Sequence, residues 1–178
     1  MLDTRELGRR PGSQRQVSRT VPAPADLGIE VLQVPEGSPV ELDLRLEAVM
    51  EGVLVTGTAH ASLAGECVRC LEPISASDRS SIEVGFQELY VYEDHALPEA
   101  EDDEVSMLQD DLVDLEPLLR DAVVLALPFQ PLCTDDCPGL CPDCGARLAD
   151  DPDHAHEEAI DPRWASLASY QQDPKQDD

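Results

Sequence analysis

A chain of 178 residues with 42% hydrophobic residues can bury one ordinary core, and 3% aromatic content leaves that core to Leu, Val, Ile and Ala. The formal net charge of −26 argues against a surface built for phosphate backbones or anionic membranes and favours basic protein partners. No apolar stretch follows the N-terminal arginines, and the longest apolar run, at 122–129, is broken by Pro128, so neither a secretory signal nor a membrane span is expected. The expected compartment is the cytoplasm, where paired cysteines are metal ligands before they are disulfides.

Residues 1–24 carry Arg5, Arg9, Arg10, Arg15 and Arg19 among Gly8, Pro11, Gly12, Pro22 and Pro24, a composition expected to give a loop-like basic tail or strap. A domain is expected over 25–149. From Val40 the period becomes two: Val40, Leu42, Leu44 and Leu46 alternate with charged residues as a half-buried strand requires. A second strand from Val53 through Ala59 runs toward Cys67, and a third holds Ile82, Val84 and Phe86 and continues through Leu89 and Val91. Short connections between them predict an antiparallel meander.

The stretch 93–111, the heart of an acidic run from Glu93 to Glu116, is expected to be a mobile acidic loop. Asp114 offers an N-cap, Pro117 suits the first turn, and Leu115, Leu118, Leu119, Ala122, Val123 and Ala126 recur at helical spacing. Val124, Leu125 and Leu127 widen that stripe and predict a helix buried against the sheet, ended by Pro128. The fold class expected is therefore α+β: an antiparallel sheet packed by one buried helix, with knuckles and acidic loops. Residues 150–178 read as an acidic tail in which Trp164, Leu167 and Tyr170 mark a short docking helix.

All six cysteines fall in pairs: Cys67 and Cys70, Cys133 and Cys137, Cys141 and Cys144. A C-x-x-C turn presents two thiolates from one tight loop, and zinc wants four such soft or borderline ligands at tetrahedral corners. Gly145 completes a full knuckle after Cys144, whereas Cys70 is followed by Leu71. A single pair could equally be two buried, unligated thiols, but three pairs with none left over argue against that. Two groupings are open. One sets Cys133, Cys137, Cys141 and Cys144 on one ion. The other, preferred because it uses every candidate, sets Cys67, Cys70, Cys133 and Cys137 on one ion and Cys141, Cys144, His154 and His156 on a second. His154 and His156 could also be solvated residues of an acidic tail.

One or two Zn²⁺ ions per chain are thus expected. Iron, which shares Cys-Pro-x-Cys-Gly sites, is the weaker candidate because no electron-transfer motif accompanies it. There is no G-x-G-x-x-G, P-loop or G-x-S-x-G, and a closed four-ligand site leaves no position for a catalytic water, so no enzyme is expected.

The ordered motifs C67-V-R-C-L-E-P73, F86-Q-E-L-Y90, L127-P-F-Q-P-L-C133, C137-P-G-L-C-P-D-C-G145 and D161-P-R-W164 resemble the bacterial YceD family, in its actinobacterial form. That resemblance implies a role in accumulation of large-subunit ribosomal RNA, and so in ribosome biogenesis. It also supports pairing Cys67 and Cys70 with the positions of Cys133 and Cys137, and it implies no catalytic residue. The expected function is a non-enzymatic, zinc-binding factor acting through a basic ribosomal or assembly protein. Direct RNA binding by the N-terminal arginines with Arg69, and redox sensing by zinc thiolates, are the alternatives.

Overall fold

The computed structural model describes residues 1–74, 80–95, 106–156 and 163, and divides into two compact units, Met1–Cys137 and Pro138–Asp178. The first unit is built on a four-stranded antiparallel sheet in the order β2 (Gln14–Pro22), β5 (Pro39–Ala48), β6 (Gly52–Ser62) and β8 (Ser81–Val91). Its inner face carries Val40, Leu42, Leu44 and Leu46 from β5, Val53, Val55, Ala59 and Ala61 from β6, and Val84, Phe86 and Tyr90 from β8. Period-two alternation produces this directly, since every second side chain points to one face. The inner phase of β8 ends on Tyr90, whose hydroxyl donates to the Asp114 carbonyl at 2.7 Å, so Leu89 and Val91 belong to the other row.

Two smaller sheets complete the unit. β1 (Leu2–Asp3) pairs with β9 (Leu112–Val113), while β3 (Leu27–Ile29), β4 (Leu32–Val34) and β7 (Ala64–Gly65) form a three-stranded sheet ending just before Cys67. The helix α1 (Glu116–Ala126) packs on β8 and β3.

Other expectations are corrected as well. Residues 1–24 are not loop-like: β2 pairs along its whole length with β5, and the segment belongs to the first unit. Arg15 and Arg19 stand opposite Leu46 and Leu42, in line with Val17 and Val21, so arginines at inward positions of an edge strand hide its alternation. The helix is half-buried rather than buried: Leu119 and Val123 face the core, but Leu125 is 85% exposed. Its N-cap is Leu115, and the Asp114 carboxylate instead accepts the Glu116 N–H at 3.1 Å. The acidic stretch is ordered at both described ends, with a single 3-10 turn at Glu93–His95 and with Leu108 buried and bonded through its N–H to the Val91 carbonyl. Residues 96–105 lie outside the described residues, as does the docking helix expected around Trp164.

Arg9 and Arg15 of the N-terminal segment pair with acids of this unit. Arg9 meets Asp94 at 3.3 Å and Asp111 at 3.4 Å with its guanidinium 4.5 Å above the Tyr92 ring, and Arg15 meets Glu6 at 2.7 Å. Among the described residues no helix is long and apolar enough to cross a membrane.

Candidate metal centres

Cys67 and Cys70 lie on the turn that leaves β7, and the segment beyond α1 delivers Cys133 and Cys137 to them. The four sulfurs lie within 4.8 Å of one another, with Cys67 to Cys137 at 3.8 Å and Cys70 to Cys133 at 3.7 Å. Disulfides would require about 2.05 Å. A tetrahedral ion with metal–sulfur bonds of about 2.3 Å has sulfur–sulfur edges of about 3.8 Å. These two edges match such an ion, and the other four are no longer than 4.8 Å. Three of its sulfurs sit on buried residues, and Cys133 is half-buried.

In the second unit Cys141, Cys144, His154 and His156 form another set of the same compactness. Cys144 Sγ is 3.2 Å from His154 Nε2 and 3.3 Å from His156 Nε2, and the two Nε2 atoms are 2.9 Å apart. The corresponding tetrahedral edges for zinc are about 3.5 Å and 3.3 Å, so this set must open by a few tenths of an ångström. Both histidines offer the same ring nitrogen, and their rings meet edge to face. Two sulfurs and two imidazoles are a zinc donor set. All eight residues singled out in the sequence thus fall into two sets of four, each contained in one unit.

The two C-x-x-C turns have one backbone design. Leu71 N–H donates to the Cys67 carbonyl at 2.8 Å and Gly145 N–H to the Cys141 carbonyl at 2.8 Å; Cys67 N–H reaches the Glu72 carbonyl at 2.9 Å and Cys141 N–H the Ala146 carbonyl at 2.8 Å. The residue after the second cysteine is left-handed in both, Gly145 at φ 74° and Leu71 at φ 59°. Cys67 to Cys70 is thus a complete knuckle without the glycine that would have revealed it. A left-handed L-residue costs about 1–2 kcal/mol, part of which glycine returns through its freer unfolded chain. Leu71→Gly is therefore expected to hold or raise stability by up to about 1 kcal/mol, and Leu71→Ile to lower it by about 1–2 kcal/mol. Urea midpoints of the metal-loaded protein check the pair.

Backbone amides favour the thiolate at one cysteine of each set, and burial opposes it at Cys70. Burial raises the Cys67 thiol, but the backbone amides of Cys133, Cys70 and Arg69 outweigh it and bring it down to about 6. Burial pushes Cys70 up to about 12, with the Cys67, Cys137 and Cys133 thiols adding to the rise. The amides of Cys144 and Asp143 lower Cys141. Amides that favour thiolate favour metal ligation, and metal loading must expel the protons that remain. Arg69 was a candidate for RNA contact; its guanidinium donates to the Cys137 carbonyl at 3.0 Å, which places a positive charge against the first set.

The family model for the large ribosomal RNA subunit accumulation protein YceD matches residues 55–170, which include all eight candidate ligands. The chain is 50% identical to the Mycobacterium bovis protein Mb2951c over 167 residues, 93% of this chain and 78% of that one. It is 42% identical to ML1660 of Mycobacterium leprae over 168 residues, 94% and 75% of the two chains. It is 26% identical to YlbN of Bacillus subtilis over 142 residues, 79% and 77%. No solved structure matches. A model spanning both cysteine-bearing regions, and a relative sharing half its residues over nearly the whole chain, place this protein in the YceD family.

Proposed function

We propose that this protein is a non-enzymatic, cytoplasmic zinc-binding factor that supports accumulation of the large ribosomal subunit by holding a basic ribosomal or assembly protein. The observation that carries the metal part is the pair of four-ligand sets, one with sulfur edges of 3.7 and 3.8 Å suited to a tetrahedral ion. Zinc is favoured over iron because the second set combines two thiolates with two imidazoles. With four protein ligands in each set, an ion has no open position, so it staples rather than catalyses. The Cys67 set joins the β7–β8 connection to the segment after α1.

The family supplies the ribosomal setting, and charge supplies the kind of partner. Against direct RNA binding stand the overall charge and the engagement of Arg9 and Arg15 with acids of the protein itself. Replacing Glu99, Glu101, Asp102, Asp103 and Glu104 together with neutral residues is expected to weaken capture of large-subunit proteins and slow large-subunit accumulation, with metal content unchanged. Long-range attraction of this kind is screened over about 10 Å at 0.1 M salt, so capture by the parent protein should fall as salt rises. Improved binding of the neutralised variant to ribosomal RNA, with protein capture intact, would favour the RNA reading.

A further inference from the structure

The two ligand sets differ in what surrounds them. Cys67, Cys70 and Cys137 belong to the contiguous apolar core of the first unit, and Cys133 packs against it. In the second unit Cys141 is buried, His154 is half-buried, and Cys144 and His156 are exposed.

Residues 138–156 contain no helix or strand beyond the isolated bridge from Leu140 to Arg147. What shapes them is a set of turn hydrogen bonds, Leu148 N–H to the Gly139 carbonyl and Asp150 N–H to the Arg147 carbonyl among them, with ion pairs from Arg147 to Asp150 and from His154 to Asp151. Exposed pairs within one turn contribute little. Ordering a backbone costs conformational entropy at every residue, and apolar burial normally offsets it. Among the described residues of this unit apolar burial is slight, with Cys141 buried and Leu140, Ala146 and Leu148 half-buried, and the four converging ligands are placed to supply the offset.

Resting on the metal reading above, we infer that residues 138–156 are a metal-conditional module. They fold when Cys141, Cys144, His154 and His156 hold an ion, and give up ion and fold together while the first unit keeps both. Exposed ligands can be reached by water and by competing chelators, whereas a set sealed in an apolar shell exchanges only when that shell opens. The chain would then have two folded forms selected by zinc supply, with the C-terminal surface ordered in one of them.

The test uses the full chain loaded with zinc and three readings: intact mass under non-denaturing conditions, backbone amide spectra, and the rate of zinc transfer to a chromogenic chelator. Two ions per chain are expected at the start. The chelator should remove one at least about ten times faster than the other. In the one-ion form, amides of 138–156 should move to coil positions while those of β5, β6 and α1 stay unchanged, and added zinc should reverse the change. His154→Ala with His156→Ala should give a one-ion protein already in that state. Release of both ions in a single step, or native amide positions for 138–156 in the one-ion form, overturns the inference while leaving the metal reading in place. A starting protein with no metal overturns both, and the initial count distinguishes that case.

Discussion

Replacing Cys67 and Cys137 together with serine is expected to abolish the cooperative unfolding transition of the first unit. The two positions are 70 residues apart, and a cross-link closing a loop of that length restricts the unfolded chain by about 4 kcal/mol. An ion held by four cysteines adds its own binding energy, about 10–16 kcal/mol for structural zinc, against a total domain stability of about 5–15 kcal/mol. The variant also leaves Cys70 buried at the sealed end of a broken set. Because the chain runs from α1 through Pro131 to Cys133, and Val68 N–H donates to the Pro131 carbonyl at 3.0 Å, loss of the ion should free the helix C-terminus first. Hydrogen exchange in α1 should lose its protection, and denaturant unfolding should broaden. Slow exchange in α1 after complete metal removal would show that the apolar core holds the unit alone.

Much of this was legible in the sequence because alternation and cysteine pairing are local signals. Val40 to Leu46 predicts β5 almost to its ends, and the antiparallel order of β5, β6 and β8 follows their order along the chain, although only the β5–β6 connection is short and the one from Ser62 to Ser81 carries β7 and the first knuckle. The edge strand β2 was hidden by Arg15 and Arg19, whose long side chains can lie along an apolar face while their charged heads reach solvent. The small sheets β3–β4–β7 and β1–β9 have strands of two or three residues, too short for any period to appear. They exist because tertiary packing brings distant segments together, as where Leu2 faces Val113.

The ligand sets show the same division. Cys141-Pro142-Asp143-Cys144-Gly145 announces its own knuckle, whereas Cys67 to Cys70 needs Leu71 in a conformation that sequence would assign to glycine. Pairing between sets is a matter of topology. Only the return of the chain after α1 decides that Cys133 and Cys137 join Cys67 and Cys70 rather than the nearer Cys141 and Cys144. Helical spacing predicts more burial than the helix has, because Leu125 extends an apolar stripe of which Leu119 and Val123 are buried and Leu118 and Ala122 partly so.

Gly65→Ala is expected to destabilise the first unit by about 3 kcal/mol and to loosen metal retention in the same set. Gly65 lies in β7, opposite Leu32 of β4 and two residues before Cys67. A Cβ there would stand 2.3 Å from the Val31 carbonyl oxygen and 2.9 Å from Leu32 Cα, both backbone atoms that cannot rotate aside. Glycine in a strand marks this kind of close approach, and relief would require β7 to separate from β4. Since Glu66 N–H also donates to the Val31 carbonyl at 3.2 Å, that separation would pull on the turn that presents Cys67 and Cys70. The effect should therefore appear twice, as a lower urea midpoint and as faster zinc transfer from the Cys67 set, with the Cys141 set unaffected. Gly8→Ala is the control for loss of a glycine, because its added Cβ meets nothing within 4 Å and the substitution carries only the strain of a left-handed residue. A Gly65→Ala protein with parental midpoint and parental transfer rate would mean that the small sheet does not position the first knuckle.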